Sequence, residues 1–141
     1  MNGKTLGTAT LMLAALAMTS PASAEKIAMK LNLTSASEVP PNDSTAKGTA
    51  DVDFDTASKV LTWKVNYSGL TGPATMAHFH GPAEPGKNAG IMVPFKDVAS
   101  GAQGSATLTD AQAAALMDGK MYVNVHTKAH PGGEIRAQVT K

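Results

Sequence analysis

The chain has 141 residues, 43% hydrophobic but only 4% aromatic and 16% charged, so it holds one domain whose core rests on Ala, Val, Leu, Ile and Met. Twelve basic against 11 acidic groups give no charge argument for a nucleic acid or an anionic membrane as partner. The absence of cysteine excludes disulfides, thiolate nucleophiles, zinc ribbons, iron–sulfur clusters and thiolate copper sites.

The N-terminus reads as a secretory signal peptide over residues 1–24. Lys4 supplies a small positive region, residues 6–18 are apolar or small, and Ala22-Ser23-Ala24 has the pattern of a cleavage site. The apolar stretch falls short of the roughly 20 residues that span a bilayer. Removal of the first 24 residues leaves 117, expected as a single periplasmic or secreted domain over residues 25–141, with no membrane span and no nucleic-acid partner.

Short alternating segments then recur about every ten residues, separated by Gly, Pro, Asn, Asp and Ser. Lys26 to Leu33 sets Ile27, Met29, Leu31 and Leu33 on one face. Glu38 to Ser44 holds two prolines and is expected as a loop. Gly48 to Phe54 opposes Ala50, Val52 and Phe54 to Asp51, Asp53 and Asp55, which read as a solvated face. Lys59 to Tyr67 aligns Leu61, Trp63, Val65 and Tyr67. Ala74 to His80, Gly90 to Phe95 and Gly104 to Leu108 follow. The Ala-rich run from Thr109 to Gly119, with a Thr or Asp cap and a Gly stop, predicts one short crossover helix of about three turns. Lys120 to His126 and Glu134 to Val139 complete the set. The pattern predicts an all-β sandwich or barrel of about eight strands.

All four histidines fall in two motifs, His78-Phe79-His80-Gly81-Pro82 and His126-Thr127-Lys128-Ala129-His130-Pro131-Gly132-Gly133. Residues i and i+2 of a strand share a face, so His78 and His80 form a bidentate grip for one ion. His126 ends a strand, and the Pro and Gly of the following turn fold His130 back toward it. The expected metal ligands are therefore His78, His80, His126 and His130. Imidazoles without thiolate suit copper first and zinc second, and serve Ca²⁺ and Mg²⁺ poorly. Against this stands the plainer reading, in which the histidines hydrogen-bond around a tight turn. Met76 lies on the His78 face and reads either as a soft ligand or as core filler. Glu134 and Arg136 share a strand face and read either as a surface pair or, for Arg136, as an attractor of anions.

Glu38-Val39-Pro40-Pro41, His78-Phe79-His80-Gly81-Pro82, and Val123-Asn124-Val125-His126-Thr127 followed by His130-Pro131-Gly132-Gly133-Glu134-Ile135-Arg136 resemble the CHRD domain of secreted microbial proteins and of chordin. The resemblance runs from about Lys30 to Val139 and departs at Ala137, where Gly is common before Gln138. It implies a Greek-key-like antiparallel β-sandwich. The His-x-His-Gly grip is also similar to the copper strand of copper–zinc superoxide dismutases. With too few histidines for a bridged pair of metals, that likeness implies a mononuclear, copper-only site.

Three functions follow as expectations. The first is an exported protein that binds one copper ion for storage, buffering or transfer. The second is a copper-only, dismutase-like redox enzyme with Arg136 or Lys128 guiding the anion. The third is a non-catalytic extracellular interaction or structural module. Four ligands favour storage, whereas three ligands plus solvent favour catalysis.

Overall fold

The structure is a computed structural model, and it describes Gly3 and residues 23–141. The segment read as a signal peptide lies, but for Gly3, Ser23 and Ala24, outside the described residues. The strands are β1 (Lys26–Thr34), β2 (Lys47–Asp55), β3 (Val60–Ser68), β4 (Ala74–His80), β5 (Ile91–Pro94), β6 (Gln103–Thr107), β7 (Met121–Thr127) and β8 (Ile135–Val139). They form one antiparallel sheet in the order β5-β4-β7-β8-β1-β2-β3-β6, curled into a nearly closed barrel. The all-β expectation holds, and the architecture is one curled sheet with edges at β5 and β6.

The alternation read along β1 and β2 is the inside–outside alternation of this barrel. Ile27, Met29, Leu31 and Leu33 face inward with Ala50, Val52 and Phe54, while Asp51 and Asp53 stay exposed. The seam between the edge strands is closed from inside by aromatic rings. Trp63 stacks on Phe95 at 4.7 Å and meets Phe79 edge-on at 5.3 Å. Gly104 pairs with Trp63 because a Cβ there would lie 2.4 Å from the indole. The crossover helix α1 (Asp110–Met117) is shorter than predicted, eight residues with Thr109 and Gln112 forming a reciprocal capping box. Ala115 and Leu116 are its buried residues.

The inside–outside rule lapses over the end of β4 and most of β8, and fails completely along β7. Every residue of β7 is buried, although its sequence alternates between apolar and polar. Met121, Val123 and Val125 point into the barrel; Tyr122, Asn124 and His126 point outward, beneath loops. Register places Met76, His78 and His80 of β4 opposite His126, Asn124 and Tyr122, and Asn124 opposite Arg136 of β8. Cross-strand partners share a face, so these residues form one polar sheet on the outer wall.

Glu134, fully buried, ties the covering loops to this wall. Its carboxylate accepts bonds from Ser44 Oγ (2.6 Å), Thr71 N–H (2.9 Å), Thr71 Oγ1 (2.9 Å) and Thr127 Oγ1 (2.7 Å). Burial pushes its pKa up, but these donors prevail and hold it below the ordinary value of 4.5. Of the two readings of Glu134 and Arg136, the surface pair is not formed: both side chains are buried and each bonds elsewhere.

Replacing one of the Glu134 oxygens by an amide NH2 leaves two of these four donors facing a donor. Glu134→Gln is expected to lower the unfolding free energy at pH 7 by about 2–3 kcal/mol. A depressed folded pKa contributes stability above the unfolded value, and that contribution is lost as pH falls through the folded value. Urea titrations of the two proteins should therefore differ most at neutral pH, and the gap should narrow as pH falls below the ordinary value of 4.5. A gap independent of pH would show that the charge of Glu134 plays no part.

Candidate metal centre

Strands β4 and β7 bring three of the four histidines together. Candidate ligand nitrogens of His78, His80 and His126 lie within 4.8 Å of one another, and all three residues are buried. The rings stand at 5.0 Å (His78–His126), 5.2 Å (His78–His80) and 6.0 Å (His80–His126) between centroids. Two nitrogens on one zinc or copper ion lie at most about 4 Å apart, so closure asks for small ring movements only.

Hydrogen bonds fix which nitrogens are free. His126 Nδ1 lies 2.9 Å from the Pro131 carbonyl and His80 Nδ1 lies 3.0 Å from the Ala89 carbonyl. A carbonyl only accepts, so both Nδ1 atoms carry the proton and each neutral ring presents a bare Nε2. This is the usual outer arrangement of a metal-bound imidazole, whose second nitrogen donates to a carbonyl. His80 Nε2 is buried and has no hydrogen-bond partner. His126 Nε2 meets His78 Nδ1 at 3.2 Å and Asn124 Oδ1 at 2.9 Å. Burial, aided by the neighbouring His126 and His80, pushes the His78 pKa down to about 4. Burial likewise lowers His80, against the opposing pull of the Ala89 carbonyl. Both rings are thus neutral at physiological pH, the form that binds metal.

Two loops cover the centre. In residues 81–90, Ala89 exchanges bonds with the Tyr122 hydroxyl at 3.0 and 3.1 Å, and Tyr122 stacks flat on His80 at 4.8 Å. The Arg136 guanidinium lies 3.4 Å from the centroid of the Tyr122 ring and donates to Asn88 Oδ1 and the Lys87 carbonyl. From the second loop, Glu38 reaches in and accepts from Asn124 Nδ2 at 3.3 Å. Burial raises its pKa, with the Asn124 bond acting in the opposite direction.

A family model for the CHRD domain matches residues 29–139. The chain belongs to the CHRD domain family. No curated protein and no solved structure matches it.

Within this CHRD domain, His130 lies apart from the three clustered imidazoles. It sits half-buried in the turn, where its backbone N–H and carbonyl bond with Thr127 and its side chain helps line a small cavity with Glu38. Met76 shares the His face but is 47% exposed, on the rim rather than in the core. Asn124, Tyr122 and Glu38 belong to the site and were not singled out as site residues from sequence. The signal for the first two was the alternation of β7, which already set them on the His126 face. No such signal exists for Glu38, which a loop delivers from 86 positions away in sequence.

Gly133 explains how tightly the second loop seats. Its φ is +123°, and a Cβ there would fall 2.2 Å from Glu38 Oε1 and 2.5 Å from Asn124 Nδ2. Gly133→Ala is expected to cost about 2 kcal/mol or more in stability and to detach Glu38 from Asn124. Thermal denaturation reads the first effect and amide NMR of Asn124 the second; an unchanged Asn124 resonance would refute the close approach.

Proposed function

We propose that this CHRD domain is an exported protein that binds one metal ion, copper, through His78, His80 and His126, and that it stores, buffers or transfers copper outside the cytoplasm. The carrying observation is the buried, unpartnered Nε2 of His80, gathered with ligand nitrogens of two further buried imidazoles. Leaving such an acceptor unpaired costs about 1–3 kcal/mol, and an ion on that nitrogen removes the cost. Uncharged imidazole donors suit copper and zinc, and copper(II) lies above zinc in intrinsic affinity. Export rests on the signal peptide read at residues 1–24, and among the described residues no helix is long and apolar enough to cross a membrane. The dismutase-like reading stands second: it loses Arg136 as an anion guide, which is 2% exposed and committed to Tyr122, Asn88 and Lys87, and keeps the exposed Lys128.

The test is to load the purified protein with copper and zinc separately and measure stoichiometry and affinity. One copper per chain is expected, weakened at least about a hundredfold by His80→Ala or His126→Ala. His130→Ala is expected to bind copper within about twofold of wild type. Failure of the wild-type protein to bind either metal stoichiometrically would overturn the proposal.

A further inference from the structure

The amide of Asn124 is the least explained polar group in the centre. It is 2% exposed and lies between His126 and Tyr122 on the outer face of β7. Its Nδ2 points at two acceptors, Glu38 Oε1 at 3.3 Å and the Gly132 carbonyl at 3.5 Å. Flipping the amide would set an oxygen against both, so these acceptors hold Oδ1 toward the imidazoles. There Oδ1 meets His126 Nε2 at 2.9 Å. The Nδ1 proton of His126 already serves Pro131, so in the neutral ring Nε2 is a lone pair facing another lone pair. Two acceptors at that distance repel unless a proton on Nε2 or a metal ion lies between them.

The distances match such a metal ion. With bonds of about 2.0–2.1 Å, donors 2.9 Å apart subtend about 90° at a shared ion. His78 Nδ1, 3.2 Å from the same Nε2, subtends about 100°, once its proton moves to the other ring nitrogen.

Resting on the metal-binding reading above, we propose that Asn124 Oδ1 is a fourth donor to the ion, so that the centre is a three-imidazole, one-amide-oxygen site for a divalent ion. Glu38 is the positioning residue that keeps this oxygen turned inward. A hard amide oxygen favours copper(II) and zinc(II) over copper(I), whose preference is for soft sulfur donors.

The experiment uses zinc(II), which has no redox chemistry, on the whole protein. Asn124→Leu is expected to weaken zinc binding at least about a hundredfold, while Asn124→Asp, which keeps an oxygen in place, binds at least as tightly as wild type. Circular dichroism of the metal-free variants controls for folding. A crystal structure of the zinc-loaded wild type should place Oδ1 about 2.0–2.2 Å from the ion, and this measurement decides the matter if the leucine variant does not fold. Zinc held by the three histidines with Oδ1 beyond bonding distance, or Asn124→Asp binding as weakly as Asn124→Leu, would overturn the inference and leave the metal reading intact. A wild-type protein that takes up no zinc and no copper would overturn both.

Discussion

A strand buried on both faces, with polar side chains on one of them, governs the layout of this CHRD domain. Inside the barrel, Met121, Val123 and Val125 of β7 are removed from water as in any β core. Outside, Tyr122, Asn124 and His126 are removed from water too, and each polar atom there needs a partner or costs free energy. The loops over residues 35–46 and 81–90 supply those partners through backbone carbonyls and buried side chains. Glu134 and Arg136 anchor them, one by gathering hydroxyls and an N–H, the other by donating to Lys87 and Asn88. The wall is therefore a second, polar layer laid over an apolar barrel.

Within that layer, satisfaction is uneven, and the unevenness is local. Arg136, Tyr122, Glu134 and Glu38 all have partners of the right polarity. The two faults are His80 Nε2, which has no partner, and the facing lone pairs of His126 and Asn124. Both fall on the same few ångströms, between strands whose register leaves the rings little freedom to turn away. A loop-bracing role accounts for His126 Nδ1 on the Pro131 carbonyl and His80 Nδ1 on the Ala89 carbonyl, but it leaves the Nε2 of each ring unexplained. It accounts for neither fault. Departures from good local chemistry that cluster in an otherwise satisfied structure mark the place where function acts.

Period-two alternation made the barrel legible in the sequence, because inward residues such as Ile27, Met29, Val52 and Phe54 obey it strictly. It also put His78 with His80 on one face, and His126 with Asn124 and Tyr122 on one face. What it could not supply was which strands are neighbours. The adjacency of β4 and β7 crosses 48 positions between His78 and His126, and only tertiary pairing brings them together. Two of the alternatives left open by the sequence fail for one cause. Glu134 and Arg136 look like a surface pair, and Met76 like core, when a charged or apolar residue is placed by its type alone. Loop cover reverses both expectations, burying the charges and leaving Met76 on the rim. His130 looked foldable onto His126, yet the turn is closed by backbone bonds with Thr127, which hold the main chain and leave that imidazole outside the cluster.

The placement of Glu38 and Arg136 bears on how the centre could hold a cation. Uncharged donors alone compensate a desolvated divalent ion poorly, so a nearby carboxylate is valuable. Glu38 is the acidic side chain that reaches Asn124, and Arg136 is close enough to act on it electrostatically. Were the guanidinium to pair directly with Glu38, the carboxylate would be neutralised and the Asn124 amide would lose its anchor. Among the described residues no ion pair joins them. Tyr122 takes the guanidinium on its ring face, while Lys87 and Asn88 take its N–H groups. The same tyrosine stacks on His80. One aromatic ring thus holds a ligand candidate in orientation and keeps a competing cation occupied, and Glu38 stays available to the amide that faces the imidazoles.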